Sequence, residues 1–509
     1  MTTQGAPQSI TRTAHPRQWA LHAVWIVLVT VLAIVLLGYH PFAEDGGIYA
    51  AAVEARLNPA LFPHDHAWVT AHTRFALFVP AVSTLTRTLH LPLATVLFSL
   101  YAAGIAALLA AAAHLARTCF PGEHRPWLAT LTVAVGAGLP VAGTALYAVD
   151  PYSSARTLTT PLLLFALSFA LRQRWSACAL CWIAAAAMHP LMALWGALSL
   201  LLTAALSTRQ PRRWTLALLA LPFFAAILLN AASPTESAGA YVVAHTRTYW
   251  FPAQWHWYEW IGAVAPCMLL VAFSGRFRRM PHSALSRLAL ASVATTGIAA
   301  AIALSFARET APSLTVARLQ PLRSLHLVFL AFLVASGALL QASLRTASRR
   351  LLALTTLAVA AGSVLAMQRS LYPHTPHLEW PGATPVNPWE AAFAWCRTNT
   401  SPSALFALDA SYINQPEEDS HGFRAIALRS ALPDQVKDAG IAAVLPALTP
   451  SWQAGVAATR DLNGQTDSQR LERLTPFGVT WIILPTSSAT TLPCPFQNRD
   501  AKVCQLPSL

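Results

Sequence analysis

Charge is scarce in this chain. Of 509 residues only 11% are Asp, Glu, Lys or Arg and 55% are hydrophobic, where a soluble globular protein carries roughly a quarter charged residues. That shortage excludes a soluble fold for most of the chain. Lysine is nearly missing, Lys437 and Lys502 being the only two, which reads as Arg-biased codon usage rather than chemistry. The N-terminal stretch before the first apolar run has arginines but no small-residue cleavage site follows it, so the run is a first span and not a removed signal. The apolar runs hold almost no acid and show neither repeated halves nor a matched pair of Gly/Pro-broken spans, all of which speaks against a coupled transporter or lipid flippase. Cys178 and Cys181 have no second pair of Cys or His at zinc-site spacing, so core packing is their expected role.

What remains is a polytopic membrane protein. Apolar stretches of about 15–24 residues recur between Trp19 and Met367, and most can cross a hydrocarbon core of roughly 30 Å. Spans are expected at 19–38, 93–116, 127–147, 157–171, 175–189, 191–207, 214–232, 260–275, 288–306, 322–343 and 351–367, about eleven by the length rule. The net charge of +13 comes mainly from arginines in the short connections. Such a distribution points to positive-inside topology and not to nucleic acid. The segment 75–91 holds Pro80 and Arg87 and is assigned as re-entrant or interfacial, because counting it as a span would send the arginines at 172, 209 and 276 outside. The tail 1–18 is then cytoplasmic. The 39–92 loop, the 148–156 turn, the 233–259 and 307–321 loops and everything after Met367 lie outside.

After Met367 the composition changes. A Pro/His-rich linker leads into a region with charges of both signs, helical spacing at 388–400 and strand-like runs at 404–409, 479–485 and 501–507, which reads as a small soluble α/β domain within 368–509. Outside the membrane Cys494 and Cys504 are permitted to bridge. The fold class expected is an all-α polytopic membrane protein with a small extracytoplasmic α/β domain.

Chemistry concentrates just beyond the first span, in "GYHPFAEDGGIYAAAVEARLNPALFPHDHAW", residues 38–68. A carboxylate at a membrane face is costly to desolvate, so Glu44 and Asp45 ask for a partner, a water-filled cavity or a metal. The residues after them have helical spacing, which suggests a helix along the membrane surface. Gly46 and Gly47 would let a substrate or metal approach the backbone closely. A plainer alternative is that the two acids cap this helix.

An acidic pair after the first transmembrane helix, a surface helix, a re-entrant or interfacial segment and a chain of spans resembles the GT-C class of integral membrane glycosyltransferases. The resemblance extends to a second acid in the turn after the third span, here "ALYAVDPYSSARTLTTP" with Asp150 and Arg156, and to a soluble extracytoplasmic domain at the C-terminus. It implies transfer of a sugar from a polyprenyl-phosphate donor to an acceptor on the outer face of a bacterial inner membrane. Glu44 and Asp45 would act as general base or metal ligand. Asp150 would orient the first acid or share with Asp45 a divalent cation such as Mg²⁺ or Mn²⁺.

A lipid phosphate needs cations at the same face. Arg156, Arg318, Arg323 and His326 are placed to meet one, with snorkelling as the other account of Arg323. His189 beside Pro190 could serve as acid, base or hydrogen-bond donor to phosphate, or simply pack a helix end. His64, Asp65, His66 and His72 read as a solvated loop more than as metal ligands, and the Trp/Tyr-dense 241–260 loop as an aromatic belt rather than a sugar-stacking surface. An O-antigen-type polymerase or ligase would share the lipid-linked donor, but would carry its Arg-rich loops outside.

Overall fold

The computed structural model describes the backbone of residues 16–71, 73–121, 126–207, 211–276, 283–344 and 346–507. His72, the tail 1–15 and much of the Arg-rich 209–213 and 276–279 loops lie outside the described residues. Among the described residues sixteen α-helices precede the C-terminal region. They are α1 (Pro16–Leu37), α2 (Glu44–Leu57), α3 (His66–Ala71), α4 (Phe78–Leu89), α5 (Leu93–Cys119), α6 (Trp127–Gly136), α7 (Ala155–Leu171) and α8 (Trp175–Met188). After these come α9 (Pro190–Ser207), α10 (Pro211–Ala232), α11 (Ala238–His245), α12 (Trp257–Arg276), α13 (Ala284–Phe306), α14 (Thr315–Leu319), α15 (Leu325–Ser343) and α16 (Ala347–Leu371). Among the described residues seven helices are long and apolar enough to cross a membrane, and four shorter apolar ones accompany them. Each overlaps one of the expected spans.

Large apolar side chains cover the outside of the bundle. Val27, Leu28, Leu180, Leu351 and Leu352 are each at least 60% exposed, an arrangement that only a lipid solvent makes favourable. Inside, helices approach through small residues. A Cβ at Gly337 on α15 would meet Leu128 O of α6 at 2.4 Å, so glycine is what allows that crossing.

Two expectations are corrected. The run 127–147 is helical only to Gly136, and the chain then folds into a hairpin of β1 (Pro140–Val141) and β2 (Leu146–Tyr147). Gly138, Pro140 and a positive φ of 60° at Gly143 break the helix, and the hairpin delivers the turn that carries Asp150. The helix after the first span forms as expected but does not lie on an open surface, because most of α2 is buried, with α4 on one side and the C-terminal domain on another.

The five segments expected to share one side do touch one another. His40 N–H donates to Pro151 O at 2.7 Å, Glu44 N–H to Ser420 O at 2.9 Å, Gln254 Nε2 to Glu309 Oε1 at 2.6 Å and Arg318 Nε to Ala443 O at 2.9 Å. Contacts at the opposite end join Arg172 to Thr118 and Arg287 to Leu171 O. These contacts bring together loops that are distant in sequence.

The C-terminal region holds α17 (Pro388–Asn399), β3 (Leu405–Ala407), α18 (Phe423–Ala427), β4 (Ser430–Ala431), α19 (Lys437–Val444), α20 (Thr449–Thr459), α21 (Asp467–Leu474), β5 (Trp481–Pro485), β6 (Phe496–Gln497) and β7 (Ala501–Gln505). Its sheet has the order β4-β3-β5-β7-β6, with β4, β3 and β5 parallel and β7 antiparallel to β5 and β6. Alternation along the strands builds two apolar layers. Phe406, Ile483 and Val503 join Trp389 and Phe393 on one face, while Leu405, Ala407, Ile482 and Leu484 pack with Leu462 and Leu474 on the other. Cys494 and Cys504 form a disulfide, and Cys396 is free and buried.

Candidate functional site

The site is assembled where the turn before α2, the turn before α7 and the start of α19 meet. Ser154 N–H donates to Thr157 Oγ1 at 3.0 Å, which starts α7 and sets Arg156 on its first turn. Arg156 Nε donates to Asp150 Oδ2 at 2.9 Å, and its Nη1 and Nη2 both donate to Asp45 Oδ2 at 3.1 Å. One guanidinium thus joins the two acids singled out by the sequence. Asp150 is held further by Ser154 Oγ at 3.3 Å, and Tyr152 OH accepts from Arg156 Nη2 at 3.3 Å.

Lys437, dismissed from sequence as codon usage, reaches the same point. Its ammonium pairs with Glu44 and lies 3.6 Å from Asp45 Oδ1. Burial opposes the charge on Lys437, but Glu44 and Asp45 more than offset it and hold its pKa above the ordinary lysine value. Glu44 and Asp45 also occupy the first turn of α2, where negative charge favours the helix N-terminus. Glu44 sits at φ 53°, a left-handed conformation that costs of order 1–3 kcal/mol and tends to mark functional turns. Gly46 and Gly47 do make room, though for the protein itself. A Cβ at Gly46 would lie 3.0 Å from Tyr152 Cγ, and one at Gly47 3.1 Å from Gly422 Cα.

Two hollows flank the cluster. Asp150, Arg156 and His326 line one inside the bundle, with Gly104 and Thr160. Glu44, Trp68, Tyr412, Arg424 and Lys437 line the other, between α2, α3 and the C-terminal domain. Arg323 borders a third, beside Tyr249 and Gln320; its Nε is buried without a hydrogen-bond partner among the described residues.

The other expected residues have different employment. Arg318 is engaged by Glu236, with Nη2 to Oε2 at 2.9 Å, and by Ala443 O, and the pairing holds the Glu236 carboxyl below its usual range. It ties loops together. His326 donates Nε2–H to Ala148 O at 3.0 Å and so steadies the Asp150 turn. Nδ1 of His189 accepts from Met192 N–H at 3.4 Å at the start of α9. Asp65 is buried rather than solvated, accepting from Arg424 Nε at 2.5 Å and Ala431 N–H at 3.0 Å, while His64 bonds Ser403 O. Of the aromatic loop, Trp250, Phe251 and Trp255 are core, and only Trp257 and Tyr258 stand exposed at a belt position.

A divalent cation shared by Asp45 and Asp150 does not fit this arrangement, because Arg156 stands between the carboxylates and Lys437 takes the remaining side. The ligand set is already neutralised. Among the described residues the group with metal-ligand spacing is Glu379, Glu390 and His421.

No family model and no curated protein sequence matches the chain. Among solved structures it is similar to the archaeal oligosaccharyltransferase AglB from Archaeoglobus fulgidus in complex with an inhibitory peptide and a dolichol-phosphate, with a TM-score of 0.50 and 13% identity over 92% of this chain and 70% of that one. The Archaeoglobus fulgidus oligosaccharyltransferase in the apo form gives a TM-score of 0.48 at 12% identity, over 92% and 70%. At such identity the likeness is one of fold. The resemblance to GT-C class membrane glycosyltransferases, drawn from the order of elements, holds at that level.

Proposed function

We propose that the chain is an integral membrane glycosyltransferase that moves a sugar from a polyprenyl-phosphate donor to an acceptor on the extracytoplasmic face. The observation that carries this reading is the meeting of Asp45 and Asp150 on Arg156, with Lys437 alongside, at the end of an apolar helix bundle. Support comes also from the fold, since the similar AglB structure holds a dolichol-phosphate and a peptide.

The chemistry follows from the charges. Asp45 takes the proton of the acceptor as its nucleophilic atom bonds the anomeric carbon. The bond from that carbon to the phosphate oxygen breaks, and the electron pair leaves with the phosphate. Arg156, Lys437 and Arg323 stabilise the charge that develops there. In the structure Lys437 and Arg156 rest on Glu44 and Asp45. An arriving lipid phosphate competes for those cations, and drawing Lys437 away removes its charge from beside Asp45 Oδ1, 3.6 Å off, and makes that carboxylate a stronger base. Mg²⁺ or Mn²⁺ would first have to displace Arg156 from Asp45 and Asp150.

Purified chain in liposomes with a radiolabelled polyprenyl-phosphate sugar tests the reading. Release of the lipid phosphate with transfer of the sugar is expected. Movement of intact lipid across the bilayer with no release would replace it with a carrier. In the same assay Lys437→Met should raise KM for the donor by about 10–100-fold, the loss of one charge-assisted bond to phosphate of roughly 1.5–3 kcal/mol, with kcat changed far less. An unaltered KM would remove Lys437 from donor binding.

The face bearing 39–92 and 368–509 is assigned as extracytoplasmic. The arginine distribution and the Cys494–Cys504 disulfide, which persists in oxidising compartments, both support this. The eleven apolar helices are taken as the spans. In spheroplasts, an impermeant thiol reagent should label a cysteine placed at Ala60 and spare one at Arg174. The opposite pattern would invert the topology.

A further inference from the structure

Behind the Asp45 turn, segments far apart in sequence close on a second cluster that the transfer reaction does not use. His40 comes from the turn after α1, Glu379 from the linker, Glu390 from α17, and Glu418 and His421 from the loop before α18. His421 is fully enclosed and Glu390 is 4% exposed. His40 Nδ1 meets Glu379 Oε1 at 2.7 Å, which orients that carboxylate.

The tautomer of His421 decides what the cluster can hold. Its Nδ1 lies 2.6 Å from Glu418 O; a carbonyl only accepts, so the proton is on Nδ1. In the neutral ring Nε2 then presents a lone pair. That atom lies 3.4 Å from Glu390 Oε1 and 3.7 Å from Glu379 Oε1, and it is buried with no hydrogen-bond partner among the described residues. A lone pair facing two carboxylates repels them unless a proton or a metal ion stands between. Metal-bound imidazoles show this same pattern, donating the far N–H to a carbonyl while the near nitrogen ligates. The ligand atoms of Glu379, Glu390 and His421 lie within 4.8 Å of one another, and the 3.4 and 3.7 Å from His421 Nε2 to the two carboxylates are separations that pairs of bonds of roughly 2.0–2.2 Å to one centre span.

We propose that Glu379, Glu390 and His421 hold a divalent metal ion, zinc by the chemistry of one imidazole and two carboxylates. The ion is a staple. It joins the linker and α17 to the loop 418–422, whose Ser420 O accepts from Glu44 N–H at 2.9 Å and whose His421 bridges Ala43. The metal thereby holds the C-terminal domain against the turn that presents Glu44 and Asp45. It belongs to the architecture and is separate from the Asp45–Arg156–Asp150 cluster, so it stands whether or not the chain transfers a sugar.

The test is metal content. Full-length chain in detergent is stripped with a chelator, given zinc alone and dialysed. About one equivalent per chain should remain, and folded His421→Ala and Glu390→Gln variants should retain none. Asp45→Asn and Asp150→Asn should each keep it, and loss of the metal in either would move the site to the other cluster and overturn the assignment. A stripped wild-type chain that takes up no zinc would show that a proton on His421 Nε2 fills the gap, as would a folded His421→Ala that binds as before. Should neither ligand variant fold, the stripped wild type decides. An unfolding midpoint raised by zinc and not by magnesium supports the staple, and an unmoved midpoint overturns it.

Discussion

Asp45→Asn should lose sugar transfer by about 10²–10⁴-fold in kcat while folding normally, the range expected for removal of a general base. The amide keeps the shape of the side chain and a carbonyl oxygen for the Arg156 guanidinium, which donates to Asp45 Oδ2 at 3.1 Å. It cannot take a proton. KM should separate this role from a structural one, because the uncharged amide would no longer compete with a donor phosphate for Arg156 and Lys437, so donor binding should be unchanged or tighter. Glu44→Gln should matter less, its carboxylate serving chiefly to park Lys437. The measurement is transfer in proteoliposomes with protein yield and unfolding midpoint as controls. Near-full kcat for Asp45→Asn with a dead Glu44→Gln would put the base one residue earlier. Normal transfer by both would leave the acids as domain-docking groups only.

What could be read beforehand followed from solvent. Spans must be apolar, so the helices could be drawn from residue type alone. Asp45, Asp150 and Arg156 were recognisable because each lies within a few residues of an apolar run, where a charge is costly. Lys437 was not. Its partner Glu44 is 393 residues away, and nothing near Lys437 distinguishes it from a solvated lysine. Asp65 and Arg424, 359 residues apart, were hidden for the same reason, as was His40 with Glu379. Docking of the C-terminal domain creates all three pairs, and composition reports no docking. The hairpin after α6 differs, since Gly138 and Pro140 stood in plain view within an apolar run. The length of the run alone does not reveal that they end the helix early.

Arg156→Met should be the most damaging single change to stability, and a double variant should separate its two roles. Asp150 is 7% exposed and would keep one hydroxyl, Ser154 Oγ at 3.3 Å, as its described partner. Breaking a buried pair by removing one member costs about 3–5 kcal/mol, because the other charge stays behind uncompensated. Replacing both members removes that cost, so Arg156→Met with Asp150→Asn should recover most of the lost stability. Transfer should not return with it. The double variant still lacks the guanidinium that would hold the leaving phosphate and that now meets Asp45. Unfolding midpoints and transfer rates for the wild type, the two single variants and the double variant form a cycle that reads stability and chemistry separately. If activity recovers along with stability, Arg156 is a structural clamp and donor binding rests on Lys437 and Arg323. If stability is unmoved by Arg156→Met, the ion pair joining the two acids is not what holds the site together.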